Sequence, residues 1–257
     1  MAGRFDGKVV VITGGGGGIG RATSVCLAAE GAKLVLVDRA ADALAASVAA
    51  VERAGGIAFS VGADVTRRAD VERYVAAAHE RFGRIDAFFN NAGILGPVAP
   101  LAEYPEDDFD QVIAVNLKGV WLGLRAVGPV MMARGAGAIV NTASIAGLRS
   151  AANLVAYSAS KHGVVGLTRT AAVEFARRGV RVNAICPAPI ETAMADELEQ
   201  HWGRGDPATF RKRMSATIPL GRYGKPEEVA PLVAFLLSDE AAYLNGGIYT
   251  VDGGAMA

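Results

Sequence analysis

Three residues in this 257-residue sequence have the types and spacing needed for proton transfer. Tyr157 and Lys161 stand four residues apart, and Ser144 precedes the tyrosine by thirteen residues. On a helix, residues i and i+4 share a face, so the phenol and the ammonium would project into the same space. A nearby cation favours the phenolate and lowers a tyrosine pKa from about 10. The spacing therefore predicts a tyrosine that works as an acid or a base near neutral pH.

A glycine-rich turn, Thr13–Gly20, supplies the second chemical feature. It lies between a predicted strand at 8–13 and a predicted helix that runs to about Glu30. Small residues let the backbone approach a pyrophosphate, and the free N–H groups at a helix N-terminus attract its charge. The turn therefore predicts dinucleotide binding, through Gly14, Gly17, Gly18, Ile19 and Gly20.

Asp38, at the end of the second predicted strand, indicates which dinucleotide binds. A carboxylate there can accept hydrogen bonds from both ribose hydroxyls and repels a 2′-phosphate, so NAD(H) is the predicted cofactor. Arg39 keeps NADP(H) as the alternative, because a guanidinium beside this position could pair with the phosphate. Gly17 supplies no second cation for that phosphate.

Short apolar segments alternate with helical segments along the chain. The expected strands are 8–13, 33–37, 57–62, 85–89, 137–142, 181–185 and 248–251; later helices are expected at 41–54, 70–82, 106–124, 156–176 and 227–237. This alternation predicts one α/β domain over residues 1–257, a doubly wound, Rossmann-type parallel sheet with helices on both faces. The stretch 187–220 is poorly periodic, and its place beyond a strand's carboxyl end predicts a substrate lid at about 188–220.

Composition and charge favour an intracellular enzyme of small molecules. The 26 basic and 26 acidic residues cancel, which argues against nucleic-acid or membrane-surface binding. Cys26 and Cys186 lack metal-ligand spacing and are expected to be reduced, mostly buried thiols. His79 and His201 have no partners at ligand spacing, so no metal site is expected. The N-terminus has no apolar targeting segment and no run approaches a membrane span, which predicts a cytoplasmic protein.

Taken together, these motifs resemble the short-chain dehydrogenase/reductase family over the whole chain. The residues that carry the resemblance are Thr13–Gly20, Asp64-Val65, Asn90–Gly93, Asn116, Ser144, Tyr157, Lys161, Arg181–Asn183 and Val251–Gly254. More narrowly, Phe88–Gly93 and Lys161–Leu167 are similar to NAD-dependent cyclic-alcohol dehydrogenases.

The resemblance implies a catalytic group of four side chains. Tyr157 would exchange a proton with the substrate oxygen, and Lys161 would depress its pKa and hold the nicotinamide ribose. Ser144 would hydrogen-bond the same oxygen and stabilise developing charge. Asn116 would help to order a water between Lys161 and solvent, which completes a proton relay.

The resemblance also implies further cofactor contacts. Asp64 and Val65 would flank the adenine, and Thr192 would hydrogen-bond the carboxamide. The other expected contacts are Asn91, Ala92, Gly93, Pro187 and Ile190, together with Tyr157 and Lys161. Ala188 stands where the family usually has glycine; because alanine disfavours left-handed dihedrals, this loop is expected to take a slightly different path.

Apolar side chains around the predicted site favour an apolar substrate. The expected pocket residues are Leu95, Ile145, Leu154, Met194 and Trp202. The leading hypothesis is therefore NAD(H)-dependent interconversion of a secondary, cyclic or otherwise apolar, alcohol and its ketone. Surplus apolar residues on the predicted helices 156–176 and 227–237 indicate subunit contacts, and the family resemblance implies a homotetramer.

Two other functions remain open from the residues. One is a 3-oxoacyl-[acyl-carrier-protein] reductase that uses NADPH, in which Arg134, Arg177 and Arg178 would meet the acidic carrier protein. The other is a nucleotide-binding sensor that keeps the fold without turnover. Cofactor preference separates the reductase from the leading hypothesis, and intact Ser144, Tyr157 and Lys161 argue against the sensor.

Overall fold

A single parallel sheet organises the computed structural model, which describes residues 3–203 and 205–257. Its seven strands have the order β3-β2-β1-β4-β5-β6-β7. They are β1 Val9–Thr13, β2 Lys33–Asp38, β3 Ile57–Gly62, β4 Ala87–Asn90, β5 Gly137–Thr142, β6 Val180–Pro187 and β7 Ile248–Val251. The strand order reverses between β1 and β4, and ligands of such sheets bind at the carboxyl ends beside this reversal. The predicted doubly wound sheet is confirmed.

Helices cover both faces of the sheet. They are α1 Gly18–Ala29, α2 Ala41–Arg53, α3 Arg68–Phe82, α4 Glu106–Ile113, α5 Gly119–Arg134, α6 Val155–Ala176, α7 Ala193–Trp202, α8 Pro207–Ala216 and α9 Pro226–Leu237. Phe88 packs in the core cluster with Tyr74 of α3, whereas its neighbour Phe89 packs with Leu27 of α1. Successive strand residues point to opposite faces, so both faces need an apolar cover. Within the described ranges, none of these helices combines the length and apolar composition needed to cross a bilayer.

The structure divides the helix that was expected at 106–124. Between α4 and α5 the chain makes a π-helical segment, Ala114–Lys118, and α5 then continues to Arg134. A π segment widens the helix locally, and such segments are frequent at functional sites. Here it carries the fully buried Asn116. The three segments follow one another without a break, so the expected helix was wrong in ending near Leu124 and in lacking the wider turn, which apolar spacing does not reveal.

The stretch beyond β6 is more regular than its poor periodicity indicated. It contains two helices, α7 and α8, which pack together through an edge-to-face contact of Trp202 with Phe210, 5.4 Å between ring centres. Before them, Ala188 does not have a positive φ, and its N–H donates to the Val251 carbonyl at 3.1 Å. Alanine therefore brings no left-handed strain to this loop.

Candidate active site

Polar side chains join the carboxyl ends of three central strands. The Thr13 hydroxyl accepts hydrogen bonds from the N–H groups of Asn91, at 2.9 Å, and Ala92, at 3.2 Å. The Asn91 amide donates to the Thr13 carbonyl at 3.2 Å and accepts from the Thr142 hydroxyl at 3.0 Å. These bonds fix β1, β4 and β5 relative to one another where the sheet order reverses. They also place the predicted residues Asn91 and Ala92 beside the glycine turn.

The glycine turn has the close backbone packing of a phosphate cradle. Gly14 has a φ of +66°, and a Cβ at Gly20 would lie only 2.1 Å from the Gly14 carbonyl oxygen. No side chain caps the start of α1 at Gly17, so the helix N-terminus offers its N–H groups and positive dipole end to an anion. A Cβ at Gly18 would lie 2.8 Å from Thr192 Cγ2, so the predicted carboxamide contact lies against the same turn. These residues fit a dinucleotide.

The Asp38 carboxylate is fixed by two backbone donors at the tip of β2. Its Oδ2 accepts from the Gly16 N–H and its Oδ1 from the Ala40 N–H, both at 3.1 Å. Arg39 is exposed and points to no acidic partner within the described residues. The arrangement leaves a preorganised hydrogen-bond acceptor beside the glycine turn.

The two residues predicted to flank the adenine lie one strand further along, after β3. The Asp64 carboxylate accepts from the Thr66 N–H, at 2.9 Å, and the Thr66 hydroxyl, at 2.8 Å. Val65 lies against α5, since a Cβ at Gly119 would lie 3.0 Å from Val65 Cγ2. Both residues are half-buried at the carboxyl edge of the sheet.

Lys161 is buried at the centre of this edge. Its side chain is 3% exposed, and its Nζ donates to the Thr142 carbonyl at 2.8 Å. The Nζ lies 5.5 Å from the centre of the Tyr157 ring, one helical turn earlier on α6. A Cβ at Gly93 would lie 3.5 Å from this Nζ and 3.2 Å from Asn116 Oδ1. Lys161 and Asn116 therefore lie on either side of Gly93, where a Cβ would be tightly packed.

Asn116 fixes the chain segment that leaves β4. Its Oδ1 accepts from the Ile94 N–H, and its Nδ2 donates to the Ile94 carbonyl, both at 2.8 Å. The Nδ2 also donates to Ser160 Oγ at 3.2 Å, and that hydroxyl donates to the Tyr157 carbonyl at 2.7 Å. The π-helical segment is therefore tied both to the loop after β4 and to the helix that carries Tyr157.

Ser144 lies at the end of β5 and begins a short 3₁₀ turn, Ile145–Gly147. Its hydroxyl oxygen accepts from the Ala146 N–H at 3.1 Å, which satisfies one donor of that turn. A Cβ at Gly147 would lie 2.7 Å from the Lys161 carbonyl oxygen, so the turn packs directly on α6. This contact places the turn that begins at Ser144 beside the helix that carries Tyr157.

Burial sets the protonation of the two titratable groups. It raises the pKa of Tyr157 above its ordinary value, and the hydrogen bond with Ser144 acts in the opposite direction. Burial also lowers the pKa of Lys161 to about 8. The expectation that Lys161 lowers the tyrosine pKa is therefore wrong for this state: the ammonium bonds the Thr142 carbonyl and burial outweighs it. A protonated Tyr157 at neutral pH is a proton donor.

The expected pocket residues divide between two regions. Leu95, Ile145 and Leu154 are buried, and each adjoins a residue of the catalytic region: Ile94, Ser144 and the first residue of α6. Met194 and Trp202 are half-buried on α7, where Trp202 is engaged with Phe210. The first three are thus buried next to the catalytic residues along the chain, whereas the last two belong to the α7–α8 pair.

Two functional positions were not anticipated, because they act through the main chain. The Thr142 carbonyl holds Lys161, and the backbone of Ile94 holds Asn116. Cys186, expected to be a mostly buried thiol, is fully buried, and burial raises the pKa of this thiol to about 11, whereas Cys26 is only half-buried. The roles of Thr142 and Ile94 could not be predicted from the sequence, because every residue has a backbone carbonyl and the residue type does not show which one is used.

Comparison with known proteins agrees with this geometry. The family model described as enoyl-(acyl carrier protein) reductase matches residues 14–256. Levodione reductase of Leifsonia aquatica is 49% identical over 99% of this chain and 96% of its own. Cyclohexanol dehydrogenase of an Acinetobacter species is 41% identical over 98% and 96% of the two chains. The 3-oxoacyl-[acyl-carrier-protein] reductase of Thermotoga maritima is also 41% identical, over 98% of each.

A solved structure extends the comparison to three dimensions. NAD+-bound xylitol dehydrogenase superposes with a TM-score of 0.94 at 38% identity, covering 97% of this chain and 99% of its own. Fold and site together define an oxidoreductase built on a dinucleotide-binding sheet. The chain belongs to the short-chain dehydrogenase/reductase family.

The lowered pKa of Lys161 can be measured directly. In nuclear magnetic resonance of the protein with labelled lysines, we expect one side chain to titrate at about pH 8. Its signal should be missing in Lys161→Met and should remain in Lys8→Met, whose lysine is ion-paired with Asp239 at the surface. If the signal lost in Lys161→Met titrates with a pKa of about 10.4, the ordinary value, burial does not control this ammonium.

Proposed function

We propose that this protein is an NAD(H)-dependent oxidoreductase that interconverts a secondary alcohol, cyclic or otherwise apolar, and its ketone. The convergence of Ser144, Tyr157 and Lys161 at the strand edge beside the glycine turn carries the proposal. The glycine turn would thus bind the dinucleotide. Beside it, Tyr157 would donate a proton, and the Ser144 hydroxyl would hydrogen-bond the substrate oxygen.

The chain's own residues account for the proton chemistry. In ketone reduction the Tyr157 hydroxyl donates its proton to the substrate oxygen, while the Ser144 hydroxyl donates a hydrogen bond to the same oxygen. Alcohol oxidation is the reverse step, in which deprotonated Tyr157 accepts the hydroxyl proton, and this direction is favoured at higher pH because burial raises the pKa of the phenol. Lys161 holds the nicotinamide ribose, and Asn116 orders the water that links Lys161 to solvent. The nicotinamide, when bound, supplies or accepts the hydride.

Asp38 supports NAD(H) over NADP(H). Both of its oxygens are oriented by backbone N–H groups, so the carboxylate is held in place and repels a 2′-phosphate. NADP(H) remains the less favoured alternative, through Arg39. The name of the xylitol dehydrogenase structure, which states bound NAD+, agrees with this choice.

Buried apolar residues beside the catalytic group support an apolar substrate. Leu95, Ile145 and Leu154 are the nearest candidates for its walls. The relative named cyclohexanol dehydrogenase acts on a cyclic alcohol by its name, which favours a ring substrate here.

The carrier-protein alternative gains little from the arginines that suggested it. Arg134 donates to the Ile85 carbonyl at 2.7 Å and pairs with Asp86 at 2.9 Å. Arg177 and Arg178 follow α6, just before β6 begins. All three therefore lie at the amino-terminal edge of the sheet, opposite Tyr157 of the same chain, where they do not contribute to its own substrate entrance.

Steady-state turnover tests the function. We expect NAD to be preferred over NADP with cyclic secondary alcohols, and Tyr157→Phe to lower kcat about 100- to 10,000-fold, as removal of a general acid does. NAD affinity should stay within about twofold, because the ring remains. Tyr243→Phe, at a fully exposed tyrosine, is the control and should be unchanged. Undiminished turnover in Tyr157→Phe contradicts the catalytic assignment, and NADPH-driven reduction of an acetoacetyl thioester supports the carrier-protein reductase.

We also propose that α7 and α8 form the substrate lid, within the expected range of about 188–220. Arg211 of α8 fastens it: the guanidinium bonds Glu191 at 2.6 Å, lies 3.8 Å from the buried Glu199 of α7 and covers the Tyr223 ring at 5.0 Å. Glu191 immediately precedes Thr192, the expected carboxamide contact. The Arg211 side chain thus joins α7 and α8 to the loop after β6, which carries Glu191 and Thr192.

Loss of the Arg211 contacts should weaken binding of the alcohol more than binding of the cofactor. Arg211→Ala is expected to raise KM for the alcohol about three- to tenfold, the scale of one or two charged contacts, with NAD affinity within about twofold. Lys212→Ala, at the exposed neighbouring cation, is the matched control. Equal effects of the two substitutions on KM exclude a specific role for Arg211.

We propose a homotetramer in the cytoplasm, with one subunit contact formed by α5 and α6. Trp121 is 44% exposed beside an apolar groove of about 440 Å³, lined also by Leu117, Gly163 and Leu167. An exposed tryptophan on such a groove is typical of an interface.

A charge in this groove should dissociate the assembly. Trp121→Glu is expected to shift the mass measured by light scattering from four chains to two or one, because the carboxylate would be buried unpaired. Ile57→Glu introduces the same charge at an exposed residue of β3 and should leave the mass unchanged. A wild-type protein that is monomeric contradicts the assembly itself.

A further inference from the structure

Arg21 is bound inside the fold at the place where the glycine turn meets α2. From the first turn of α1, its Nε donates to Ser47 Oγ at 3.0 Å, and its Nη2 donates to the carbonyls of Gly16, at 3.3 Å, and Ala43, at 3.5 Å. Ser47 is fully buried, and its own hydroxyl donates to the Ala43 carbonyl at 3.0 Å. One guanidinium therefore joins α1, the glycine turn and α2.

Gly16, the turn residue that Arg21 holds, also holds Asp38. Its carbonyl accepts from Arg21, and its N–H donates to Asp38 Oδ2 at 3.1 Å. The fit is close, because a Cβ at Gly16 would lie 2.8 Å from Ala43 Cβ and 3.1 Å from Asp38 Oδ2. A shift of Gly16 would therefore also shift the Asp38 carboxylate, because one hydrogen bond joins the two groups.

The contacts of Arg21 indicate that it holds neighbouring groups in place rather than neutralising a negative charge. Among the residues that the structure describes, no carboxylate lies within ion-pair distance of its guanidinium, and its donors meet only neutral oxygens. A planar guanidinium can hold several acceptors in fixed directions at once, which an ammonium cannot.

We propose that Arg21 is a positioning residue for the ADP-ribose half of the cofactor. It fixes Gly16, and through the Gly16 N–H it orients the Asp38 carboxylate towards the ribose hydroxyls. The inference rests on the proposed function in one respect, namely that Asp38 binds the ribose of NAD.

A double-mutant cycle with Asp38 tests this route. NAD affinity is measured by calorimetry for the wild type, Arg21→Ala, Asp38→Ala and the double variant. We expect Arg21→Ala to weaken NAD binding about five- to twentyfold, the scale of losing a charge-assisted hydrogen bond, and to change kcat less than about twofold. In the Asp38→Ala background the same substitution should weaken binding less than about twofold, because the group it positions is gone.

Three further variants separate geometry from charge and from stability. Arg21→Lys keeps the positive charge but not the planar guanidinium with its several fixed donors. It should therefore recover less than about half of the NAD affinity that is lost in Arg21→Ala. Ser47→Ala removes one acceptor of Arg21 and should weaken NAD binding in the same direction by about two- to fivefold, which serves where Arg21→Ala folds poorly. Arg53→Ala is the matched control, because Arg53, at the end of α2, likewise donates to a backbone carbonyl, that of Ala49 at 3.2 Å, but away from the glycine turn.

The results that would contradict the role of Arg21 differ from the results that would contradict the proposed NAD-dependent activity. Equal weakening by Arg21→Ala with and without Asp38 contradicts a route through that carboxylate. Full recovery in Arg21→Lys shows that charge alone is needed. Unchanged NAD affinity with only a lower melting temperature shows a purely structural role. A wild type that prefers NADP contradicts the proposed cofactor, whereas NAD preference with additive effects contradicts only the role of Arg21.

Discussion

The burial of one ammonium, that of Lys161, constrains the whole carboxyl edge of the sheet. A cation that is 3% exposed loses its hydration, and the fold must provide an acceptor at a fixed place. The Thr142 carbonyl is that acceptor, at 2.8 Å. The Thr142 side chain is held by Asn91, and Asn91 is held by Thr13 at the start of the glycine turn. A continuous series of hydrogen bonds thus links the cofactor cradle to the proton-transfer residues.

The same constraint explains the unusual backbone around Asn116. An amide that bonds both the N–H and the carbonyl of Ile94 must lie level with the loop after β4, and the π-helical segment places it there. Gly93 is the counterpart, because a side chain at that position would fill the space between Lys161 and Asn116. The π-helical segment and the absence of a side chain at Gly93 thus keep Asn116 and Lys161 on either side of one backbone position.

The sequence specifies the sheet better than it specifies the connections after β6 or the protonation states. The run Gly137–Thr142 has the predicted bounds because a central parallel strand is buried along nearly its whole length. The edge strand Ile57–Gly62 is mostly exposed or half-buried, and its bounds were predicted from its β-forming residues between turn residues. Helices α7 and α8 were not predicted, since their apolar residues serve a small local cluster rather than the sheet. The pKa of Tyr157 was assigned the wrong direction because four-residue spacing reports a shared helix face but not burial. Arg21 was passed over because its partners are mostly backbone carbonyls.

The contact of Thr192 with Gly18 couples the two halves of the proposed mechanism. Because a Cβ at Gly18 would lie 2.8 Å from the threonine methyl, the loop after β6 can take its position only against a glycine turn without side chains. Helix α7 begins at the next residue, Ala193, so the base of the proposed lid rests on the cofactor cradle. A change that displaces the turn must therefore also displace the lid. The rest of α7 and α8 packs mainly on itself and on Tyr223, and Arg211 links it to the loop through Glu191. Under the proposed function, changes in these two helices are therefore expected to alter the choice of alcohol while the catalytic edge stays the same.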